Sequence, residues 1–242
     1  TSFSGVCQDG GTVTVTNPMD DAHDSIALLD YLLENGGLPE SWRINRVLPE
    51  SVYKFSDDGK TLLGFQDAFL NDPDSEIYKD NFQDCDTIEI PANVEKISSY
   101  IFDNIPSFLT KLTFAEGSKC NFIYSAAFTN WPSLISADFS NIICETKLPG
   151  SIFIDCVSLA SVTLPKGFKG MANQVFQNCP AINYIAWDLP DDYQTSTTIS
   201  NAVFANVFST GTVKSLNPSI TSQQLLEFLQ TKGLPTTGWT AE

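Results

Sequence analysis

Residues 153–165 read Phe-Ile-Asp-Cys-Val-Ser-Leu-Ala-Ser-Val-Thr-Leu-Pro. Phe153, Cys156, Leu159, Val162 and Leu164 are apolar, and the residues between them are mostly small or polar. The same pattern starts again at Phe102, Phe128, Phe176 and Phe204, so the five anchors are separated by 26, 25, 23 and 28 residues. A chain that repeats at this interval is a stack of similar turns. One turn cannot bury its inward side chains alone, and the next turn has to cover them.

Counting from each anchor Phe, the apolar positions line up in columns. Five residues earlier stand Ile97, Ile123, Leu148, Met171 and Ile199. Three later stand Ile105, Trp131, Cys156, Cys179 and Val207. Six later stand Phe108, Leu134, Leu159 and Ile182, and nine later Ala137, Val162, Ile185 and Val213, with Leu112 one residue late in the first copy. The alternation that closes each copy, as in Ser161-Val162-Thr163-Leu164, has the period of a strand. Successive turns then add strands to one parallel sheet, and five turns give a face about 20–25 Å long.

The pattern L-x-x-V-x-L-P, with V-x-x-I and a small residue before an aromatic, resembles the BspA-like bacterial class of leucine-rich repeats. Ile90-Pro91-Ala92-Asn93-Val94-Glu95-Lys96-Ile97 with Ile101-Phe102 carries the resemblance, as do Ala127-Phe128 with Leu134 and the 153–165 stretch. Phe82-x-x-Cys85 with Ile88-x-Ile90-Pro91 reads as a truncated first turn. The resemblance implies a mostly β, α/β leucine-rich repeat solenoid with a parallel sheet on one face. It also implies a place on the cell surface and a role in adhesion, neither of which the periodicity shows. The expected domains are an acidic N-terminal α/β capping region (1–81), the solenoid (82–217), and a C-terminal helix and tail (218–242). Asp191–Thr198 is extra to the repeat and is expected to bulge from it.

A stack leaves apolar columns open at both ends and needs caps. At the C-terminus, Thr221 with Gln224 three residues on forms a capping-box pattern ahead of Leu225, Leu226, Phe228 and Leu229, with Gly233 and Pro235 as stop signals. This predicts a helix over 222–232. At the N-terminus, Asp24 or Ser25 is placed to cap a helix carrying Ile26, Leu29, Leu32 and Leu33, between alternating stretches at 12–16 and 42–47. Leu28-Leu29-Asp30-Tyr31-Leu32, Gly37-Leu38-Pro39 and Trp42 recur as Leu225-Leu226-Glu227-Phe228-Leu229, Gly233-Leu234-Pro235 and Trp239. The matching order favours a duplicated unit over two unrelated amphipathic helices.

The chain of 242 residues carries a formal charge of −16, unevenly spread. Residues 1–90 hold 18 acidic and 5 basic side chains, against 11 and 8 in residues 91–242. Nucleic acid and anionic membrane surfaces are therefore poor partners for the whole molecule. No apolar run reaches the length of a membrane span. The N-terminus does not read as a signal peptide, which agrees with a secreted or surface-attached chain whose leader, or lipid-bearing segment, has been removed. The absence of any Asn-x-Ser/Thr sequon other than one with proline in the middle points to a bacterial source.

Catalytic and metal signatures are sparse. His23 is the sole histidine, within Asp20-Asp21-Ala22-His23-Asp24, and reads as a solvated helix start. There is no C-x-x-C, and Gly59-Lys60-Thr61 lacks the upstream glycine of a phosphate loop. Asp72-Pro73-Asp74-Ser75-Glu76 with Asp80 imitates a calcium loop but has Ile77 at the glycine position and Gln83 at the closing position. No cofactor, metal or catalytic residue is therefore expected. Cys85, Cys156 and Cys179 share an apolar column and read as reduced fillers, while Cys120 and Cys144 are placed as neighbours on adjacent turns where a disulfide is conceivable.

The remaining candidate is the sheet face, where residues flanking the buried ones point outward. These are Lys111 and Thr113, Ser136 and Asp138, Ser161 and Thr163, and Tyr184 and Ala186 in four successive turns. The expected function is a non-catalytic, adhesin-like surface protein binding a protein or glycan through this strip. A glycan-acting enzyme using N-terminal carboxylates and a plain structural spacer are the alternatives.

Overall fold

The structure is a computed structural model. It describes residues 47–242, except 84, 103, 145, 201, 208 and 209, together with two short N-terminal strands. The chain divides after Val47 into two compact units. In the first, β1 (Thr12–Thr14) and β2 (Arg43–Asn45) pair in parallel, with Val13 opposite Ile44. Both lie within the stretches that alternate like strands. The helix expected between them lies outside the described residues, as does His23.

The second unit opens with β3 (Tyr53–Phe55) and β4 (Thr61–Phe65), an antiparallel pair, followed by the short helix α1 (Asp67–Asn71). The chain then coils through β5 (Thr87–Ile90), β6 (Lys96–Ile97), β7 (Lys111–Phe114), β8 (Phe122–Ile123), β9 (Ser136–Asp138), β10 (Ser161–Leu164), β11 (Gly170–Met171) and β12 (Tyr184–Trp187). Helix α2 (Tyr193–Ser196) leads to β13 (Thr198–Ile199) and β14 (Gly211–Ser215), and α3 (Ser222–Thr231) and β15 (Trp239–Ala241) close the unit. The result is a mostly β solenoid of about six turns. Its main sheet is parallel throughout, in the order β15-β14-β12-β10-β9-β7-β5.

Like residues lie over like. Val162 is in register with Ala137 on one side and Ile185 on the other, and Ile185 with Val213. The column five residues before each anchor forms a second ladder on another side of the coil, in two parts with no pairing between Ile123 and Leu148. Leu62 of β4 pairs with Ile97, Ile97 with Ile123, Leu148 with Met171, and Met171 with Ile199. The anchors stack as a pillar, with ring centroids 6.2, 5.8, 5.9 and 6.0 Å apart from Phe102 through Phe128, Phe153 and Phe176 to Phe204. Phe65 of β4 extends the pillar by one ring, 4.8 Å from Phe102.

Each turn bends sharply on both sides of its anchor. Two residues before it, Tyr100, Ala126, Ser151, Gln174 and Ala202 have φ of 53–63°, and two residues after it, Asn104, Asn130, Asp155, Asn178 and Asn206 have φ of 55–61°. Left-handed conformation is unfavourable for most residues and least so for Asn and Asp, which accounts for the composition of the second group. Their side chains also join neighbouring turns. Asn178 Nδ2 donates to Asp155 Oδ1 at 2.8 Å, and Asn206 Nδ2 donates to Asn178 Oδ1 at 2.9 Å.

The thiols are internal donors. Cys156 Sγ reaches back one turn to the carbonyl of Phe128 (3.1 Å), and Cys179 Sγ to that of Phe153 (3.0 Å). Trp131, in the same column, donates its indole N–H to Leu109 O at 3.0 Å. Burial pushes the Cys120 and Cys156 thiols up to about 12 and raises Cys179 as well, so these groups stay neutral and inert. Cys120 and Cys144 are both reduced and buried.

The C-terminal helix forms as its sequence dictates. Thr221 Oγ1 accepts from Gln224 N while Gln224 Oε1 accepts from Thr221 N, Leu225, Leu226, Phe228 and Leu229 are buried, and Gly233 follows at φ 105°. The helix lies against β14 and β15. The insertion at 191–198 does more than bulge. It forms α2, and buried Tyr193 meets Phe228 edge-on at 5.0 Å. The strands extend the likeness between the two ends. Gly11-Thr12-Val13 and Asn17-Pro18 recur as Gly211-Thr212-Val213 and Asn217-Pro218, and β2 pairs in parallel with β1 as β15 does with β14.

Candidate binding face

Seven strands in register place their outward residues in rows. One row runs Thr87, Lys111, Ser136, Ser161, Tyr184, Thr212 and Thr240, each opposite the next, and Thr87 at its end is buried, only 5% exposed. Strand spacing makes this row about 29 Å long. Two residues further along each strand, Glu89 faces Thr113, Asp138 faces Thr163, and Ala186 lies between Thr163 and Lys214. Lys111 and Asp138 are exposed, while Thr113, Ser136, Ser161, Thr163 and Tyr184 are partly exposed. Ala186 is on the expected face but only 2% exposed. Its single methyl sits below the longer side chains in line with it, so it offers no contact surface.

The strip is rich in hydroxyls, and its two cations are neutralised at opposite ends. Lys111 Nζ meets Asp86 Oδ2 at 2.8 Å, and Lys214 Nζ meets Glu242 Oε1 at 2.8 Å. Glu242 holds the Lys214 ammonium above its ordinary value. Burial first, and then the Glu242 carboxylate, raises the Tyr184 hydroxyl, against an opposing effect of Lys214. Burial also raises the Glu89 carboxyl. Asp138 Oδ1 accepts from Ser140 N at 2.8 Å, which fixes the side chain at the end of β9. No group of three or more metal-ligating side chains occurs among the described residues, and in Asp72–Asp80 the Asp72 carboxylate instead accepts from Asp74 N at 3.1 Å.

Sequence reasoning found the four central strands of this face and missed the outer ones. Thr87 and Glu89 on β5, and Thr212 and Lys214 on β14, follow from carrying the strand column one turn further each way. Thr240 and Glu242 have no such signal, because β15 is three residues long and lies outside the solenoid repeats.

A family model describing a BspA type leucine rich repeat region, in six copies, matches residues 75–211. Among solved structures, the chain is similar to a leucine rich cell surface protein from Faecalibacterium prausnitzii A2-165, with 22% identity and a TM-score of 0.49. The match covers 76% of this chain and 40% of that one, so this chain spans less than half the length of the relative. No curated protein matches. No helix among the described residues is long and apolar enough to cross a membrane. The matched repeats cover more than half of the sequence and coincide with the coiled turns, and the chain belongs to the BspA-type leucine-rich repeat family.

Proposed function

We propose that this protein is a non-catalytic interaction module of the cell surface or its surroundings, holding an extracellular protein partner along the main sheet. The outward row from Lys111 to Thr240 carries this reading. Seven strands in register hold hydroxyl donors and acceptors at fixed spacing on a rigid support, so little side-chain entropy is lost when a partner docks. Solenoids commonly bind along such a face. Lys111 and Lys214 towards its two ends are already paired and add orientation more than affinity. Family membership supports a surface role, since proteins of this type are associated with surfaces and adhesion.

Tyr184 and Asp138 are the aromatic and the anion nearest the middle of the strip. The test is biolayer interferometry of the intact protein against purified extracellular-matrix and bacterial surface proteins. The double variant Tyr184→Ala, Asp138→Lys is expected to weaken a captured partner about tenfold or more. Absence of any partner across the panel, or a partner held equally well by the double variant, contradicts the reading.

A further inference from the structure

On a different side of the coil from the main sheet, the outward face of the second ladder carries an aromatic and basic band. Phe122 and Tyr124 are 44% and 47% exposed, and their rings meet edge-on at 4.8 Å. They flank inward Ile123, so both point away from the core. Lys96 is the register partner of Phe122 on the neighbouring strand and is exposed. Lys147 is also exposed and holds the same place relative to its anchor one turn on, immediately before Leu148 as Lys96 stands before Ile97; these two turns are joined by the bond from Ala126 N to Gly150 O rather than by strand pairing at Phe122. The next row holds Leu63, 41% exposed, and Ser98, and backbone bonds from Ser98 N to Leu62 O and from Tyr124 N to Ile97 O continue the ladder there.

The charge of this side is out of character for the molecule. The chain carries −16, yet Lys96, Lys119, Lys147, Lys166 and Lys169 all lie between the end of a main-sheet strand and the second ladder. Among the described residues, Lys96, Lys119, Lys147 and Lys169 form no ion pair, and Lys166 has only a long contact of 3.9 Å to Asp188. The carboxylate beside Lys96, Glu95, is engaged by Lys60 at 2.7 Å. Among the described acids of these connections, Glu116 is exposed on the turn of Phe122, and Asp191 and Asp192 are exposed three turns further on, while Glu145 lies outside the described residues. Large exposed aromatics bounded by polar groups mark interaction surfaces, and among the described residues of these turns the unpaired Lys96, Lys119 and Lys147 outnumber the unpaired Glu116.

We propose that this face binds an acidic polysaccharide, one carrying a carboxylate on every second sugar. Lys96 and Lys147 are two turns apart, with Phe122 on the turn between them, and the anchor rings of these turns step by 6.2 and 5.8 Å. An extended pyranose advances by about one strand spacing. One sugar therefore lies with its apolar face on Phe122 while the carboxylates of its two neighbours meet Lys96 and Lys147. The perpendicular ring of Tyr124 walls the stacked sugar on one side, and its hydroxyl faces the sugar's polar edge. Salt screens the repulsion from acids further away than the screening length, about 8 Å at physiological ionic strength, so the nearby lysines dominate and the contact is short-range and salt-sensitive.

The probe is a hyaluronan decasaccharide, titrated calorimetrically into the full chain, with chitohexaose as the neutral control and poly-glutamate as the acidic protein control. Hyaluronan is expected to bind and to weaken as salt rises, and chitohexaose to bind at least tenfold more weakly. Lys96→Glu with Lys147→Glu is expected to abolish hyaluronan binding, and Phe122→Ala with Tyr124→Ala to weaken it about tenfold or more. All four side chains are exposed, so both variants are expected to keep the wild-type unfolding midpoint. Tyr184→Ala on the main sheet is expected to change nothing, which separates this site from the proposed protein-binding face. No hyaluronan binding, binding that survives either double variant, or equal binding of poly-glutamate would overturn the proposal.

Discussion

Phe153→Ala is expected to lower the unfolding free energy by about 3–5 kcal/mol, read as a fall in the urea midpoint. The ring is fully buried. It stacks on Phe128 at 5.8 Å and on Phe176 at 5.9 Å with an interplanar angle of only 3°, and it meets Phe139 edge-on at 5.8 Å. Alanine leaves a cavity in the middle of the pillar, bounded by rings on neighbouring turns that have no reason to collapse inward. The same change at Phe204 is expected to cost clearly less. That ring is 6% exposed and stacks on Phe176 at one end of the pillar. In a stacked array each turn contacts its neighbours, so position along the stack sets the loss. Equal losses at the two sites would contradict this.

Gly170→Ala is the second large effect, about 3 kcal/mol or more. Gly170 has φ of 131°, a conformation that a residue with a Cβ rarely adopts. It also pairs with Thr198 of the adjacent turn, and a Cβ there would overlap the Thr198 carbonyl. The added methyl therefore forces β11 and β13 apart and strains the backbone at the same place. Gly59 gives the control. Its φ is 68° and a Cβ would meet nothing within 4 Å, so Gly59→Ala carries only the left-handed penalty of about 1–2 kcal/mol. Thermal and urea unfolding of both variants decide the point, and a Gly170→Ala protein as stable as the Gly59→Ala protein would contradict the close packing of adjacent turns.

Much of the coil was written into side-chain spacing. Columns at fixed offsets from Phe102, Phe128, Phe153, Phe176 and Phe204 became the pillar, the main sheet and the second ladder, because burial in a solenoid acts on every turn alike. The capping box at Thr221 is equally local and was equally legible. Features that depend on meeting a distant segment were not. Tyr53–Phe55 and Thr61–Phe65 carry no repeat signal, and they extend the second ladder because Leu62 finds Ile97. Trp239–Ala241 is too short to announce a strand, and its place beside β14 depends on Gly211, where a Cβ would strike the Trp239 ring at 2.8 Å. The left-handed positions were half visible. Asn and Asp two residues after the anchor were a usable signal, whereas Tyr100, Ala126, Ser151, Gln174 and Ala202 share no chemistry. On the candidate face, alternation located the outward positions, but burial of Ala186 follows from its neighbours' size rather than from its own.

The central claim is that equivalent residues of successive turns lie directly over one another along one axis. Ring-to-ring nuclear Overhauser contacts in a phenylalanine-labelled sample test it directly. Contacts between Phe128 and Phe153 and between Phe153 and Phe176, with centroids 5.8 and 5.9 Å apart, are expected, and none between Phe128 and Phe176. Missing contacts between neighbouring anchors, or a contact that skips a turn, would contradict the stacked coil and the binding faces built on it.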